Sequence, residues 1–207
     1  TRGIYAPFES GQKSGSADVY DHEMPGGQYT NLLFQSQQLG LAGQWPAIKK
    51  AYAAANRLMG DIIKVTPSSK VVGDMAQFMV QNKLTEQEVI DRASTLSFPT
   101  SVVEYFQGYL GIPPFGFPEP LRSRVIAGKL LPNGKDCFDG RPGAELPPAN
   151  FDSMRLQLND KYGSCITEQD VVSYSQYPKV FDDYMKGHIE YGDLTVLDTP
   201  TFVEGME

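Results

Sequence analysis

The chain has 207 residues, enough for one large domain or two small ones with a sizeable core, and a formal charge of -7. Acidic residues are scattered, and no basic stripe marks a duplex nucleic acid as a partner. No apolar run approaches the roughly 20 residues of a membrane helix, so no membrane partner is expected.

The start, Thr1-Arg-Gly-Ile-Tyr5, has no initiator Met and no cleavable signal pattern, and reads as a cut into a longer chain. Residues 1–27 lack periodicity, and Lys13-Ser-Gly-Ser-Ala17 and Pro25-Gly-Gly27 are loop chemistry. The run from Asp18 to Met24 reads as a short turn of structure or the end of a strand. Helices are predicted from there on. The first covers 28–39, with Leu32 and Leu33 on its apolar side and Gly40 as its stop. The second covers 45–59, opens at Trp45-Pro46 and buries Ile48, Tyr52, Ala55, Leu58 and Met59.

Asp61-Ile-Ile-Lys-Val65 is too short for a helix and reads as an extended connector. Thr66-Pro67 then signals a helix over 67–81, with Thr66 as its cap and Pro67 in its first position. Val71, Val72, Met75, Phe78 and Met79 form its apolar side, and Gly73 inside it suggests close packing. The hydroxyls of Thr66 and Ser69 and the ammonium of Lys70 are placed together at this helix mouth, where the backbone favours oxyanions and carbonyl oxygens. A well-capped helix with ordinary polar residues at its mouth fits the same pattern.

Thr85-Glu-Gln-Glu88 is a capping box opening a helix to about residue 94. Phe98-Pro99 breaks the chain, and a helix over 101–108 follows. Residues 111–120 hold four prolines and two glycines and must be a turn-rich crossing. A short helix beginning at Pro118 or Glu119 reaches residue 127. Residues 128–150 have no periodicity; Cys137, Phe138 and Leu146 suggest an ordered excursion, with a flexible linker as the alternative. Helices are then predicted over 151–162, from Thr167 to before Tyr177-Pro178, and from Pro178 to near Gly192 with Val180, Phe181 and Tyr184 buried. Residues 194–203 alternate enough for an edge strand interrupted by Thr199-Pro200. The class is mainly α with one or two short strands, and the strand–helix alternation of a barrel or doubly wound sheet is missing.

Other chemistry is thin. His22 and His188 have no second His or Cys nearby, and each reads as a solvated or hydrogen-bonded residue. Cys137 and Cys165 read as free thiols. Gly26-Gly27 is weak evidence for an anion site, Arg141-Pro-Gly143 reads as a turn, and Asp21 and Glu23 beside His22 have no fixed geometry. A Thr hydroxyl can pass a proton between two groups on either side of it, and Ser69 and Lys70 can donate to a urea-type or carboxylate oxygen. The residues alone lead to a polar pocket at a helix mouth.

The runs Glu23-Met-Pro-Gly-Gly-Gln-Tyr-Thr-Asn-Leu32, Gly60 to Met75 around Lys-Val-Thr-Pro-Ser-Ser-Lys70, Ser97-Phe-Pro99, Gly140-Arg-Pro-Gly143, Tyr177-Pro-Lys-Val180 and Leu197-Asp-Thr-Pro-Thr-Phe202 resemble the pyruvate carboxylase family. Related runs occur in oxaloacetate decarboxylase and transcarboxylase subunits, which stand as an alternative together with a non-catalytic helical interaction module.

The resemblance implies the multi-helix C-terminal extension of a carboxyltransferase TIM barrel. Residues 1–27 would end the barrel region, 28–193 form the extension, and 194–207 lead into the next domain. It implies that Thr66 shuttles a proton between pyruvate and biotin, and that Thr66, Ser69 and Lys70 form the biotin pocket. It implies pyruvate and carboxybiotin as ligands, oxaloacetate as product, and the rest of the polypeptide, in a homotetramer, as partner. Biotin would be carried elsewhere in the parent; Met185-Lys186-Gly187 is not its attachment segment. A divalent metal would be held by upstream ligands, since no His-x-His pair exists here, and ATP would be used in another domain. The parent would serve gluconeogenesis in the mitochondrial matrix of a eukaryote, or otherwise in the cytoplasm, and this piece alone is not expected to be active. Residues 129–138 look like a small expansion of the family pattern.

Overall fold

The structure is a computed structural model and describes residues 2–6, 9, 11, 14–163 and 166–193. The predicted strand over 194–203, and Cys165, lie outside those residues. The chain divides into two units, one of Ala6–Leu146 and one of Thr1–Tyr5 with Pro147–Glu207. Every regular element among the described residues is helical. A four-residue helix, α1 (Arg2–Tyr5), belongs to the second unit.

The first unit opens with α2 (Val19–His22), which settles the turn-or-strand alternative for that run in favour of a turn of helix. Next come α3 (Gly26–Gln38), a 3-10 turn at Ala42–Gln44 and α4 (Trp45–Leu58). Pro46 sits in the first turn of α4, where its missing N–H is no loss. Trp45 Nε1 donates to Tyr29 Oη at 3.0 Å, and the two rings meet edge to face. The five residues expected on the buried side of α4 are all buried.

The centre of the unit is α5 (Ser68–Gln81), which packs on α3, α4 and α7 (Thr100–Gln107). Between α5 and α7 lies α6 (Glu86–Arg92), started by the capping box the sequence announces. Thr85 N–H donates to Glu88 Oε2 at 2.8 Å, and Glu88 N–H donates to Thr85 Oγ1 at 3.3 Å. Gly73 lies where α5 meets α3: a Cβ there would stand 2.7 Å from Gln28 Nε2 and 3.0 Å from Leu32 Cδ1. Tyr52 and Phe106 are the largest fully buried side chains, each worth about 1.5–3 kcal/mol in apolar burial.

The next helix, α8 (Leu121–Ile126), starts later than the sequence suggested. Its opening turn is organised from outside: the Glu119 carboxylate accepts from Ser123 N–H at 3.1 Å and Ser123 Oγ at 2.6 Å. The excursion after it is ordered. Phe138 N–H donates to Gln107 O at 2.8 Å, and the buried Phe138 ring stands perpendicular to Tyr109 at 4.9 Å. The short helix α9 (Pro142–Glu145) ends in a carboxylate that accepts from Asp139 N–H, Gly140 N–H and Lys135 Nζ.

The second unit holds α10 (Phe151–Tyr162), α11 (Glu168–Gln176) and α12 (Pro178–Tyr191) around Leu158, Val171, Phe181 and Met185. Thr167 and Asp170 form a capping box at the start of α11. Here the sequence expectation needs correcting. Phe181 is buried, but Val180 is 66% and Tyr184 is 56% exposed. The buried stripe of α12 runs through Phe181 and Met185, four residues apart on one face, which turns Val180 and Tyr184 outward.

Candidate functional site

The mouth of α5 is built differently from a Thr-capped helix. Thr66 makes no capping bond; the residue before the first helical turn is Pro67, and the Thr66–Pro67 peptide is cis. With the proline outside the helix, the Thr66 side chain is not placed over the free N–H groups and is left exposed. Ser68 takes over the tying of this turn. Its hydroxyl lies 2.5 Å from Ile63 O and 2.6 Å from Val65 O, and it accepts from Val65 N–H at 3.2 Å. Val65 O also accepts from Ser69 N–H at 2.8 Å.

The other two residues expected at the mouth do not join Thr66 as a free polar cluster. Ser69 is buried, and its carbonyl accepts from Tyr52 Oη at 3.4 Å. Burial pushes the Tyr52 phenol well above its ordinary range. Lys70 projects on the exposed side, with its ammonium on Asp74 at 2.6 Å. Asp74 also accepts from Ser101 Oγ at 2.6 Å, so one carboxylate links α5 to the start of α7.

Beside Thr66 lies an apolar cleft of about 300 Å³. Ile62, Ile63, Val65, Pro67 and Ser68 form one side, and Tyr105 with the 110–114 segment forms the other. Ile63, Val65 and Ile112 are each more than half exposed at its edge. Tyr105 is fixed from behind by its hydroxyl, which donates to Met59 O at 2.5 Å. The arrangement is a hydroxyl-bearing turn flanked by an apolar slot, with a paired ammonium one helical turn away. Such a slot can seat the apolar face of a small ring against the turn that carries the exposed Thr66.

The Lys70–Asp74 spacing was readable from sequence as an i, i+4 pair. The Ser101 partner, 27 residues away, and the Tyr105–Met59 bond, 46 residues apart, carried no local signal.

A second cleft, of about 230 Å³, is lined by Asp18, Asp21, His22, Pro46, Lys49 and Lys50. His22 is buried, and its Nδ1 accepts from Met24 N–H at 2.9 Å, which leaves any ring proton on Nε2. Burial first, and then Lys49, push the imidazole below its ordinary range. Asp18 and Lys49 pair at 2.7 Å, and Glu23 is tied to Lys64 at 2.8 Å. No group of three or more His, Cys, Asp or Glu among the described residues could hold a metal ion. Arg141 is exposed at the foot of α9, as the turn reading expects. Cys137 is a free thiol packed against the core.

This all-helical arrangement, with a hydroxyl-bearing turn beside an apolar slot, has a family. The model of the conserved carboxylase domain matches residues 19–207, and the chain belongs to that family. Among its relatives, pyruvate carboxylase 1 of Caenorhabditis elegans is 52% identical over 100% of this chain and 17% of the relative. Pyruvate carboxylase of Bacillus subtilis is 49% identical over 99% of this chain and 17% of the relative. The chain thus spans about a sixth of the length of the relatives it matches. The solved carboxyl transferase domain of Rhizobium etli pyruvate carboxylase with pyruvate and biocytin is similar with a TM-score of 0.83 and 44% identity. That likeness covers 99% of this chain and 33% of the solved one. The same domain with oxamate and biotin gives a TM-score of 0.83.

Proposed function

We propose that this chain is the helical extension of the carboxyltransferase domain of a biotin-dependent pyruvate carboxylase, and helps form the site where a carboxyl group passes to pyruvate to give oxaloacetate. The observation that carries the proposal is the exposed Thr66 on the turn whose neighbours Val65, Pro67 and Ser68 line the apolar slot, in a chain about half identical to pyruvate carboxylases along its whole length.

In this reading the biotin head group, when bound, supplies the carboxyl group. The apolar slot suits the hydrocarbon part of that bicyclic ring, because Ile63, Val65 and Pro67 offer an apolar wall on the turn that carries Thr66, while its polar urea edge would need donors from elsewhere. Thr66 Oγ1 would take a proton from the pyruvate methyl carbon and pass its own to the biotin ring nitrogen that has lost its carboxyl group, so the side chain would end uncharged and unchanged. Lys70 lies one turn along α5 and supplies positive charge near the mouth, moderated by Asp74. On the family reading Ser69 belongs to the biotin pocket; here it is buried, with its carbonyl accepting from Tyr52 Oη.

A divalent metal of the parent would, on the family reading, be held by residues upstream of this chain. On the family reading, residues 1–27 lead out of the barrel, 28–193 are the extension, and 194–207 lead onward. The same reading makes the parent an ATP-using homotetramer serving gluconeogenesis, in the mitochondrial matrix of a eukaryote or otherwise in the cytoplasm.

The test is Thr66→Ala in the full-length parent enzyme. Oxaloacetate formation should fall at least about 100-fold with the chain still folded, in the range expected for a lost proton-transfer group. A variant that makes oxaloacetate at the wild-type rate would remove Thr66 from the chemistry.

A further inference from the structure

Thr66 is useful as a proton carrier only if its hydroxyl is held still, and its own side chain makes no bond that does so among those described. The turn around it is closed by one neighbouring hydroxyl. Ser68 Oγ meets three backbone groups of the strand of chain leading to Thr66: Ile63 O at 2.5 Å, Val65 O at 2.6 Å and Val65 N–H at 3.2 Å. A hydroxyl has one proton, so it donates to one carbonyl at a time while accepting from Val65 N–H. Without it, Val65 keeps the Ser69 N–H bond to its carbonyl and the Ile63 O bond to its N–H, at 2.8 and 3.1 Å. The tie from Ile63 to the first turn of α5 is lost. Ser68 also lines the cleft itself.

We infer that Ser68 is a positioning residue for Thr66, cinching the 63–68 turn that carries the Thr66 hydroxyl so that this hydroxyl is held in one place. This rests on the reading of Thr66 as the proton carrier. A displacement of about 1 Å in a reacting group costs on the order of 100-fold in rate, while ground-state binding to the rest of the site is little changed.

The experiment uses the full-length biotinylated parent enzyme, with pyruvate as the varied substrate and oxaloacetate as the readout. Ser68→Ala should lower kcat by about 10- to 100-fold and leave KM for pyruvate within about twofold, and Ser68→Thr, which restores a hydroxyl, should recover most of kcat. Thr66→Ala is run beside them. If Thr66→Ala is inactive and Ser68→Ala turns over at the wild-type rate, the positioning role is wrong and the proton-carrier reading stands. If Thr66→Ala retains the wild-type rate, the proton-carrier reading itself has failed. A rise in KM that accounts for the whole effect of Ser68→Ala also overturns the inference, as does a Ser68→Thr enzyme no better than the Ala variant. Should Ser68→Ala not fold, Ser68→Thr and Ser68→Cys decide the matter: kcat near wild type for Thr with a marked loss for Cys supports the clamp, and equal rates overturn it.

Discussion

Gln77 on α5 and Ser36 on α3 meet through a buried hydrogen bond: Gln77 Nε2 donates to Ser36 Oγ at 3.1 Å. Ser36 in turn donates to Leu32 O at 2.6 Å, within its own helix. Gln77 is 6% exposed and Ser36 is 0% exposed, so neither group has water as a substitute partner. Removing the acceptor alone orphans the amide. Ser36→Ala should cost about 1–3 kcal/mol, and the double variant Ser36→Ala/Gln77→Leu should recover part of the loss. Urea midpoints of the two variants measure this, and a double variant no more stable than Ser36→Ala alone would contradict it.

Gly73 gives a prediction whose sign separates two effects. Helix propensity alone says that Gly73→Ala gains about 1 kcal/mol. The close approach of α3 says the reverse, because the new methyl group meets Gln28 Nε2 at 2.7 Å and the fully buried Leu32 at 3.0 Å. The Gln28 amide can move aside, whereas Leu32 cannot do so without disturbing the core. Gly73→Ala should therefore destabilise by about 1–3 kcal/mol, the usual range for overpacking. A raised melting temperature would show that the α3–α5 contact is looser than described.

Tyr105 supports the wall of the slot, and its hydroxyl is buried against Met59 O. Burial pushes this phenol far above its ordinary range, so it stays a neutral donor at any working pH. Tyr105→Phe keeps the ring and leaves the Met59 carbonyl without that donor. A loss of about 1–2 kcal/mol in stability is expected, read from the thermal midpoint. On the proposed function, the same variant in the full-length parent should slow oxaloacetate formation less than Thr66→Ala does.

His22 predicts a pH dependence. Its folded pKa lies below the ordinary 6.5, first because the ring is buried and then because Lys49 opposes a second positive charge; Asp18 and Asp21 offset this only in part. The unfolded chain therefore binds the proton more readily than the folded one. Stability from the neutral ring is present above about pH 6.5 and is lost as the pH falls from there toward the folded pKa. Protonation also removes the acceptor for Met24 N–H. Amide exchange over residues 19–27, corrected for intrinsic rate, should speed up between pH 7.5 and pH 5.5, and His22→Asn should flatten that change. Equal protection at both values would rule the mechanism out.

The fold was legible where local rules agree with packing. The Thr85–Glu88 box, the Trp45-Pro46 start, the buried face of α4 and the reason for Gly73 could all be read from spacing. Misreadings came where a distant partner decides. Thr66-Pro67 has the signature of a helix cap, yet Ser68 closes the turn with its hydroxyl and leaves Thr66 exposed. The side of α12 that turns inward was set by Leu158 and Val171 on other helices, which its own apolar pattern could not reveal. The slot was invisible because it needs residues 62–68 and 110–114 side by side, a pairing that no periodicity encodes.

The Glu145 carboxylate has a consequence for how the first unit meets proteases. By composition, the run from Lys129 to Leu146 looks like a spacer that any protease would nick. It is stitched at Leu131 N–H to Lys135 O, at Phe138 N–H to Gln107 O, and at Glu145 to the N–H groups of Asp139 and Gly140. Cleavage needs a stretch of chain drawn out straight, and here each stretch is pinned within a few residues of the last. Limited digestion should spare this Pro- and Gly-rich run, whose durability comes from two backbone stitches and one carboxylate more than from helix.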